Sequence, residues 1–158
     1  MAYAEDEGLT DLLRRHAARG LPQRGFVELY TRCAKSLVQV GPVTDADKDV
    51  ATGMPFELVA QANPYTEPAA EALVVKLYSQ GVPQSGTQVS VFLDDGHVSK
   101  RTFMTDKDGN ISVPLSGGGR FMLNAVEIQE TEKDGASWQS HWASLTFSLP
   151  VKAKVNAK

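Results

Sequence analysis

Hydrophobic and polar residues alternate along most of the chain after residue 55. This two-residue period places apolar side chains on one face of a strand. The runs with this pattern, or with a short continuous apolar stretch, cover residues 56–60, 71–78, 87–93, 111–115, 121–128 and 143–149. The run 121–128 is apolar on both faces, which predicts a central strand.

Turn-forming residues separate the predicted strands. Glycine, proline, asparagine and aspartate cluster at 63–64, 81–83, 94–96, 108–110, 117–119 and 134–135. Many short strands punctuated every ~8–12 residues are typical of a β-sandwich. We therefore predict an all-β fold, an Ig-like or transthyretin-like antiparallel β-sandwich.

The beginning of the chain has a different period. Leu9, Leu12 and Leu13 fall on one face of a helix, and Gly20 and Pro22 are suited to ending it. This predicts a helix that packs against the sandwich, because an amphipathic helix needs a surface for its apolar face.

Two later segments are less regular. Residues 26–40 fit either state, with a helical start over 26–34 and a strand over 36–40, whereas the acidic, turn-rich residues 45–53 predict an exposed loop. The predicted organisation is a helical segment at 1–25, a β-sandwich domain at 26–150 and a disordered tail at 151–158.

Composition narrows the class of protein. The chain has 158 residues and a formal net charge of −3, which suits one domain and disfavours a nucleic-acid binder with a basic face. No apolar run approaches the ~18 residues that a membrane span needs. The single cysteine, Cys33, cannot form an intramolecular disulfide and is expected to be a buried thiol.

Motifs for catalysis are missing from the sequence. No nucleophile elbow or paired zinc-ligand spacing occurs, and residues 106–110 resemble a calcium loop without its glycine and glutamate at the required positions. We interpret 106–110 as a hairpin turn and expect a protein that is not an enzyme.

Histidine and carboxylate residues supply the metal-ligand candidates. His97 follows Asp94 and Asp95 in a predicted hairpin, where it either holds a metal ion or is an ordinary polar residue of the hairpin surface. Glu127 ends an apolar strand face, and it lies near His141 if the two strands pair. A carboxylate and an imidazole suit Ni²⁺ or Co²⁺ weakly, and two ligands alone do not make a site.

Two tryptophans share one face of the last predicted strand. Trp138 and Trp142 lie opposite the core-facing Leu145 and Phe147. They form either an exposed binding platform or a surface that the N-terminal helix covers, and we favour the covered state.

Several stretches resemble the NikM-like family of exported domains. The similar stretches are residues 30–41 (YTRCAKSLVQVG), 55–59, 63–65, 105–111 and 138–147 (WQSHWASLTF). The resemblance extends from about residue 8 to residue 150, and the final stretch carries its most specific motif. Members usually begin with a signal peptide and a first strand bearing histidine, so the chain is expected to correspond either to the second portion of such a protein or to a truncated relative.

This resemblance implies a function. Members are often described as a periplasmic component of nickel or cobalt uptake, which implies a periplasmic location, a membrane transporter component as partner and Ni²⁺ or Co²⁺ as ligand. Members often carry histidine where this chain has Glu127. The expected metal ligands are Glu127, His141 and His97.

The sequence therefore predicts a non-enzymatic extracytoplasmic binding module linked to nickel or cobalt uptake. The alternative is a protein- or carbohydrate-interaction domain without a metal role, in which Trp138 and Trp142 bind the partner.

Overall fold

A computed structural model of the chain describes residue 9 and residues 11–44, 47–66, 70–115 and 117–151. In chain order the described elements are α1 (Leu12–Ala18), β1 (Glu28–Ser36), β2 (Phe56–Ala60), β3 (Ala72–Ser79), β4 (Val82–Pro83), β5 (Gln88–Asp94), β6 (Val98–Met104), β7 (Asn110–Pro114), β8 (Gly119–Glu130), a 3₁₀ turn (Lys133–Gly135) and β9 (Trp138–Leu149). The predicted disordered tail lies, apart from residue 151, outside the described residues.

The strands form two sheets. The five-stranded sheet has the order β1-β9-β8-β5-β6, and in the four-stranded sheet β3 pairs with β2, β4 and β7. All pairings are antiparallel except that of β1 with β9, which is parallel. The predicted all-β sandwich is confirmed, with this one parallel pair added to an antiparallel plan.

The core lies between the inner faces of the two sheets. Phe121 and Phe147 stack with ring centroids 4.9 Å apart. The fully buried side chains around them include Phe56, Leu58, Leu73, Val75, Leu77, Val89, Leu123 and Leu145. Because these positions follow the two-residue period, the sequence pattern predicts them well.

Residues 26–34 do not begin as a helix, so that expectation was wrong. Residues 28–36 form β1, whose inward positions include the buried Cys33. Every residue of β1 has a register partner in β9, and this tertiary pairing prevails over the local helical pattern. Strand β6 was also missed, because its core-side positions include Ser99 and Arg101 rather than a clean apolar series.

The segment 106–110 is a turn, but not a hairpin turn. It joins β6 to β7, which belong to different sheets. Asp106 Oδ1 accepts hydrogen bonds from the backbone N–H of Asp108 and Asn110. These bonds lower the pKa of Asp106, with the Asn110 N–H having the largest effect.

Helix α1 packs on the outer face of the five-stranded sheet near the start of β9. His16 Nδ1 accepts a hydrogen bond from the Trp138 indole N–H at 3.0 Å, and Arg15 pairs with Glu130 of β8 at 3.0 Å. The N-terminal helix therefore packs on the sandwich as expected, but the expectation that its leucine face makes the contact was wrong, since Leu13 is 40% exposed and the contacts are made by Arg15 and His16. Within the part of the chain that is described, no helix has the length and apolar character to cross a membrane.

Candidate functional site

The outer face of β9 carries both tryptophans, in two different environments. Trp138 is 1% exposed, whereas Trp142, four residues later on the same face, is half-buried. The two indoles on this outer face are therefore buried to different degrees.

Helix α1 covers Trp138. The imidazole of His16 stacks on the indole with ring centroids 6.1 Å apart, and the guanidinium carbons of Arg15 and Arg19 lie 5.1 and 4.9 Å from the ring centroid. Arg19 also donates a hydrogen bond to the Ser137 carbonyl at 2.6 Å. Trp138 is thus part of the helix–sheet packing and is not accessible to a partner. The covered alternative, which expected the helix to bury both tryptophans, therefore holds for Trp138 but not for the half-buried Trp142.

Trp142 lies beside Tyr30 and Arg32 of β1 on the outer face of the sheet. Arg32 is the register partner of Trp142, and its guanidinium carbon lies 5.5 Å from the Tyr30 ring and 5.7 Å from the Trp142 ring. Tyr30 is 67% exposed. Trp142 Nε1 donates to Ser140 Oγ at 3.1 Å, so its indole is fixed against the sheet. We call this set the Tyr30–Arg32–Trp142 surface.

The charge of Arg32 is not neutralised within the described part of the chain. No carboxylate of the described residues lies within ion-pair distance of its guanidinium. A guanidinium that stacks on aromatic rings still presents its N–H edge for bidentate contact with a carboxylate or phosphate. Sequence reasoning missed Tyr30 and Arg32 because it did not place residues 28–36 on a strand beside β9.

Glu127 and His141 lie directly opposite each other on β8 and β9, as expected if their strands paired. His141 Nδ1 is 2.8 Å from Glu127 Oε1, and Ser79 Oγ donates to the same oxygen at 3.0 Å. His141 Nε2 lies 3.3 Å from the Gln139 amide nitrogen. A neutral imidazole with its proton on Nδ1 satisfies both contacts, because it donates to Glu127 and accepts from Gln139.

This arrangement differs from a hydrolytic triad. In a triad the nucleophilic hydroxyl contacts the imidazole and the carboxylate orients that imidazole. Here Ser79 donates to Glu127 instead of His141, so the imidazole does not activate the hydroxyl. Glu127 Oε1 is a shared hydrogen-bond acceptor that connects Ser79 of β3 and His141 of β9 to β8.

His97 lies far from this pair. It occupies the exposed turn between β5 and β6, next to the register pair Asp94–Arg120. Glu127 is seven residues beyond Arg120 along β8, or about 23 Å at ~3.3 Å per residue. The structure therefore does not bring His97 together with Glu127 and His141.

The neighbouring carboxylate of Asp94 has protein partners of its own. It accepts a hydrogen bond from the Gly96 N–H at 3.1 Å and forms an ion pair with Arg120. The Gly96 bond, followed by the Arg120 contact, lowers the pKa of Asp94. No group of three or more His, Cys, Asp or Glu side chains placed to hold a metal ion occurs among the described residues.

A buried cluster of three charged side chains links β1, β2 and the segment that precedes β2. Lys35 Nζ is 2.9 Å from both carboxylate oxygens of Asp49 and 3.1 Å from Glu57 Oε1. The three side chains are only 10%, 6% and 2% exposed. The expectation that residues 45–53 form an exposed loop is therefore wrong at Asp49, whose carboxylate is buried by its contact with Lys35.

Glu57 is held in its ionised form. Its carboxylate accepts hydrogen bonds from the Thr52 N–H at 2.8 Å, the Thr52 hydroxyl at 2.9 Å and the Gly53 N–H at 3.2 Å. Burial raises the pKa of Glu57, but the bonds from Thr52 and the neighbouring Lys35 outweigh burial, so the pKa lies below its usual value. Only the inward position of Lys35 in β1 could have indicated this cluster from sequence.

The larger part of the chain matches a known protein family. Residues 14–129 match the family model described as a domain of unknown function, DUF4198. No curated protein and no solved structure gives a significant match to the chain.

Proposed function

We propose that this chain, which belongs to the family described as a domain of unknown function, DUF4198, is a non-enzymatic extracytoplasmic binding module. The proposed location follows from the resemblance of residues 30–41 and 138–147 to exported domains. The observation that supports a binding role is the Tyr30–Arg32–Trp142 surface, an exposed cation between two aromatic rings.

The chemistry of this surface favours an acidic carbohydrate. Aromatic side chains present flat apolar faces on which a sugar ring can lie. The Arg32 guanidinium, which has no ion-pair partner among the described residues, supplies a bidentate partner for a carboxylate. A uronic acid unit combines these two features, a ring with apolar C–H groups and a carboxylate. The proposed ligand is therefore a polysaccharide that contains uronic acids.

Calorimetric titration of the full chain with a pentamer of galacturonic acid tests this proposal. We expect saturable binding to the pentamer and none to the uncharged maltopentaose, because only the former offers a carboxylate to Arg32. Arg32→Ala should weaken binding at least tenfold, which is about 1.4 kcal/mol. Heat of dilution alone for the acidic pentamer would contradict the proposal.

Arg101→Ala is the matched control. Arg101 is also an exposed arginine on an edge strand, with its guanidinium carbon 5.2 Å from the Phe103 ring. It lies on β6, at the opposite edge of the sheet from β1. If Arg101→Ala weakens binding as much as Arg32→Ala does, the attraction is general to the charge of the protein and the assigned surface is wrong.

A role in nickel or cobalt uptake, with a membrane transporter component as partner, is the second candidate. It is favoured by the resemblance and by the contact between Glu127 and His141. A carboxylate that binds Nδ1 of a histidine is a common way to orient Nε2 toward a metal ion. The described residues do not complete a coordination sphere around that nitrogen, so they fit a resident Ni²⁺ or Co²⁺ ion poorly.

Thermal unfolding of the metal-stripped protein with Ni²⁺, Co²⁺, Zn²⁺ or Ca²⁺ tests this second candidate. An ion at 100 times its Kd should stabilise the fold by about 2.7 kcal/mol. A Ni²⁺ or Co²⁺ shift that is lost in His141→Ala and kept in His97→Ala would support it. An unchanged unfolding temperature with every ion would exclude it.

A further inference from the structure

The buried cluster of Lys35, Asp49 and Glu57 has the composition of a reactive site. It places an amine against one carboxylate, at 2.9 Å from both oxygens of Asp49, and a second carboxylate 3.1 Å from the same nitrogen. The cluster lies outside the Tyr30–Arg32–Trp142 surface and the Glu127–His141 pair, and neither uses it.

Burial of the three charges favours a reaction that removes some of them. Removing charged groups from water costs free energy that an ion pair only partly recovers. An amide between Lys35 and Asp49 would eliminate two of the three charges. The remaining charge, on Glu57, is already stabilised by hydrogen bonds from Thr52 and Gly53.

We propose that Lys35 and Asp49 become joined in the folded protein by an amide bond between Nζ and Cγ, with Glu57 as the proton carrier. This would be a single reaction within the chain, and its product is a covalent link between β1 and the segment that precedes β2. It goes beyond the proposed binding function and does not depend on it.

The reaction balances without a co-reactant. The Lys35 ammonium passes one proton to Asp49, which leaves a neutral amine and a neutral carboxylic acid. The Nζ lone pair attacks Cγ and forms a C–N bond. Glu57 takes a second proton from Nζ and delivers it to the Asp49 hydroxyl, which departs as water. The amide keeps the third proton, and Glu57 ends ionised, as it began.

Neighbouring backbone groups are placed to assist. The Ala60 N–H donates to Asp49 Oδ2 at 2.9 Å, where it can stabilise the negative oxygen of the tetrahedral intermediate. The Val50 carbonyl is 3.2 Å from Lys35 Nζ and helps to orient it. Groups held in such contact can reach effective concentrations of ~10⁵ M or more, which favours an amide that free amines and acids do not form in water.

Intact-mass spectrometry of the purified full chain tests this inference. We expect the wild type to be lighter than its calculated mass by one water molecule and Lys35→Arg to have its full calculated mass. Tryptic digestion should leave Lys35 uncleaved and joined through its side chain to the peptide that begins at Asp49. A wild-type protein of full calculated mass, also after prolonged incubation in the folded state, would overturn the inference.

Two control treatments identify the source of a lost water molecule. Asp-Gly sequences such as Asp95-Gly96 and Asp108-Gly109 can lose water by forming a succinimide, but hydroxylamine converts that product to a hydroxamate or cleaves the chain there, whereas a side-chain amide resists it, and Lys35→Arg does not prevent succinimide formation. A mass deficit that persists in Lys35→Arg would therefore contradict the proposed link. Glu57→Gln should retain the full mass, and if it still loses water at the wild-type rate, Glu57 is not the proton carrier.

Discussion

Trp138 and Trp142 lie on the same face of the same strand, yet their side chains have different surroundings. Trp138 is enclosed by α1, with a hydrogen bond from its N–H to His16. Trp142 is half-buried beside Arg32 and the exposed Tyr30. The difference shows that a short helix over one end of a sheet encloses one of two tryptophans that share a strand face and leaves the other half-buried.

Truncation of the two tryptophans should separate these roles most strongly. Trp138→Ala should lower the free energy of unfolding by about 3–5 kcal/mol, because it leaves a cavity beneath the helix. Trp142→Ala should cost about 1 kcal/mol, since less of its area is removed from water. Urea unfolding of both variants measures the contrast, and equal losses would contradict it.

The buried carboxylate of Glu57 should also contribute far more to stability than a carboxylate at the surface. Glu57→Gln should destabilise the protein at neutral pH by roughly 1.5–3 kcal/mol, because it removes a charged acceptor of several hydrogen bonds. The folded-state pKa of Glu57 is lowered, so its contribution is present above its unfolded pKa of about 4.5 and is lost as pH falls through the lower folded value.

Unfolding experiments between neutral and acidic pH test this expectation, with Lys35→Arg present in every protein so that the proposed amide does not contribute. In that background the difference between the protein with Glu57 and the protein with Glu57→Gln should shrink as the pH decreases below about 4.5. The exposed Glu71 offers a control, for which Glu71→Gln should follow the wild type throughout. A difference at Glu57 that stays constant in acid would show that its charge does not contribute.

Removal of the hydrogen-bond partner of Trp138 should have a smaller effect than removal of the indole. His16→Ala leaves the buried Trp138 N–H unsatisfied, which should cost about 1–3 kcal/mol. His97→Ala, in an exposed turn, should leave the unfolding temperature unchanged. Thermal unfolding monitored by circular dichroism compares the two, and an unaffected His16→Ala variant would show that the helix does not depend on this bond.

The arginines beside the two tryptophans should show the smallest difference in stability. Arg19→Ala removes a hydrogen bond to the Ser137 carbonyl and an ionic contact with Glu130, and should cost about 1 kcal/mol. Arg32→Ala should change stability by less than about 0.5 kcal/mol, although it abolishes most of the proposed carbohydrate affinity. A destabilisation by Arg32→Ala as large as that by Arg19→Ala would assign Arg32 to packing.

The strands were predictable where one face is buried. In β3 and β7 the alternation of apolar and polar residues matches the inward and outward sides, because register is strongly determined by a core. Strand β1 was not predictable in this way, since its inward positions include Thr31 and the charged Lys35. Its conformation depends on β9, more than 100 residues later in the chain.

The candidate sites also differ in whether the sequence could predict them. The contact between Glu127 and His141 followed from the idea that two recognisable strands pair. The Lys35–Asp49–Glu57 cluster could not be predicted from the sequence. Asp49 lies in an irregular segment, which has no hydrophobic period that would indicate a buried side chain. Periodicity also could not distinguish Trp138 from Trp142, since it places both on one face and contains no information about where α1 packs.

Acrylamide quenching of single-tryptophan proteins tests the division of the outer face most directly. Trp142→Phe leaves Trp138 as the only indole, and Trp138→Phe leaves Trp142. We predict that Trp138 is shielded from acrylamide and that Trp142 is readily quenched, with the pentamer of galacturonic acid reducing the quenching of Trp142. Equal quenching of the two indoles, or a shielded Trp142 without ligand, would contradict this division.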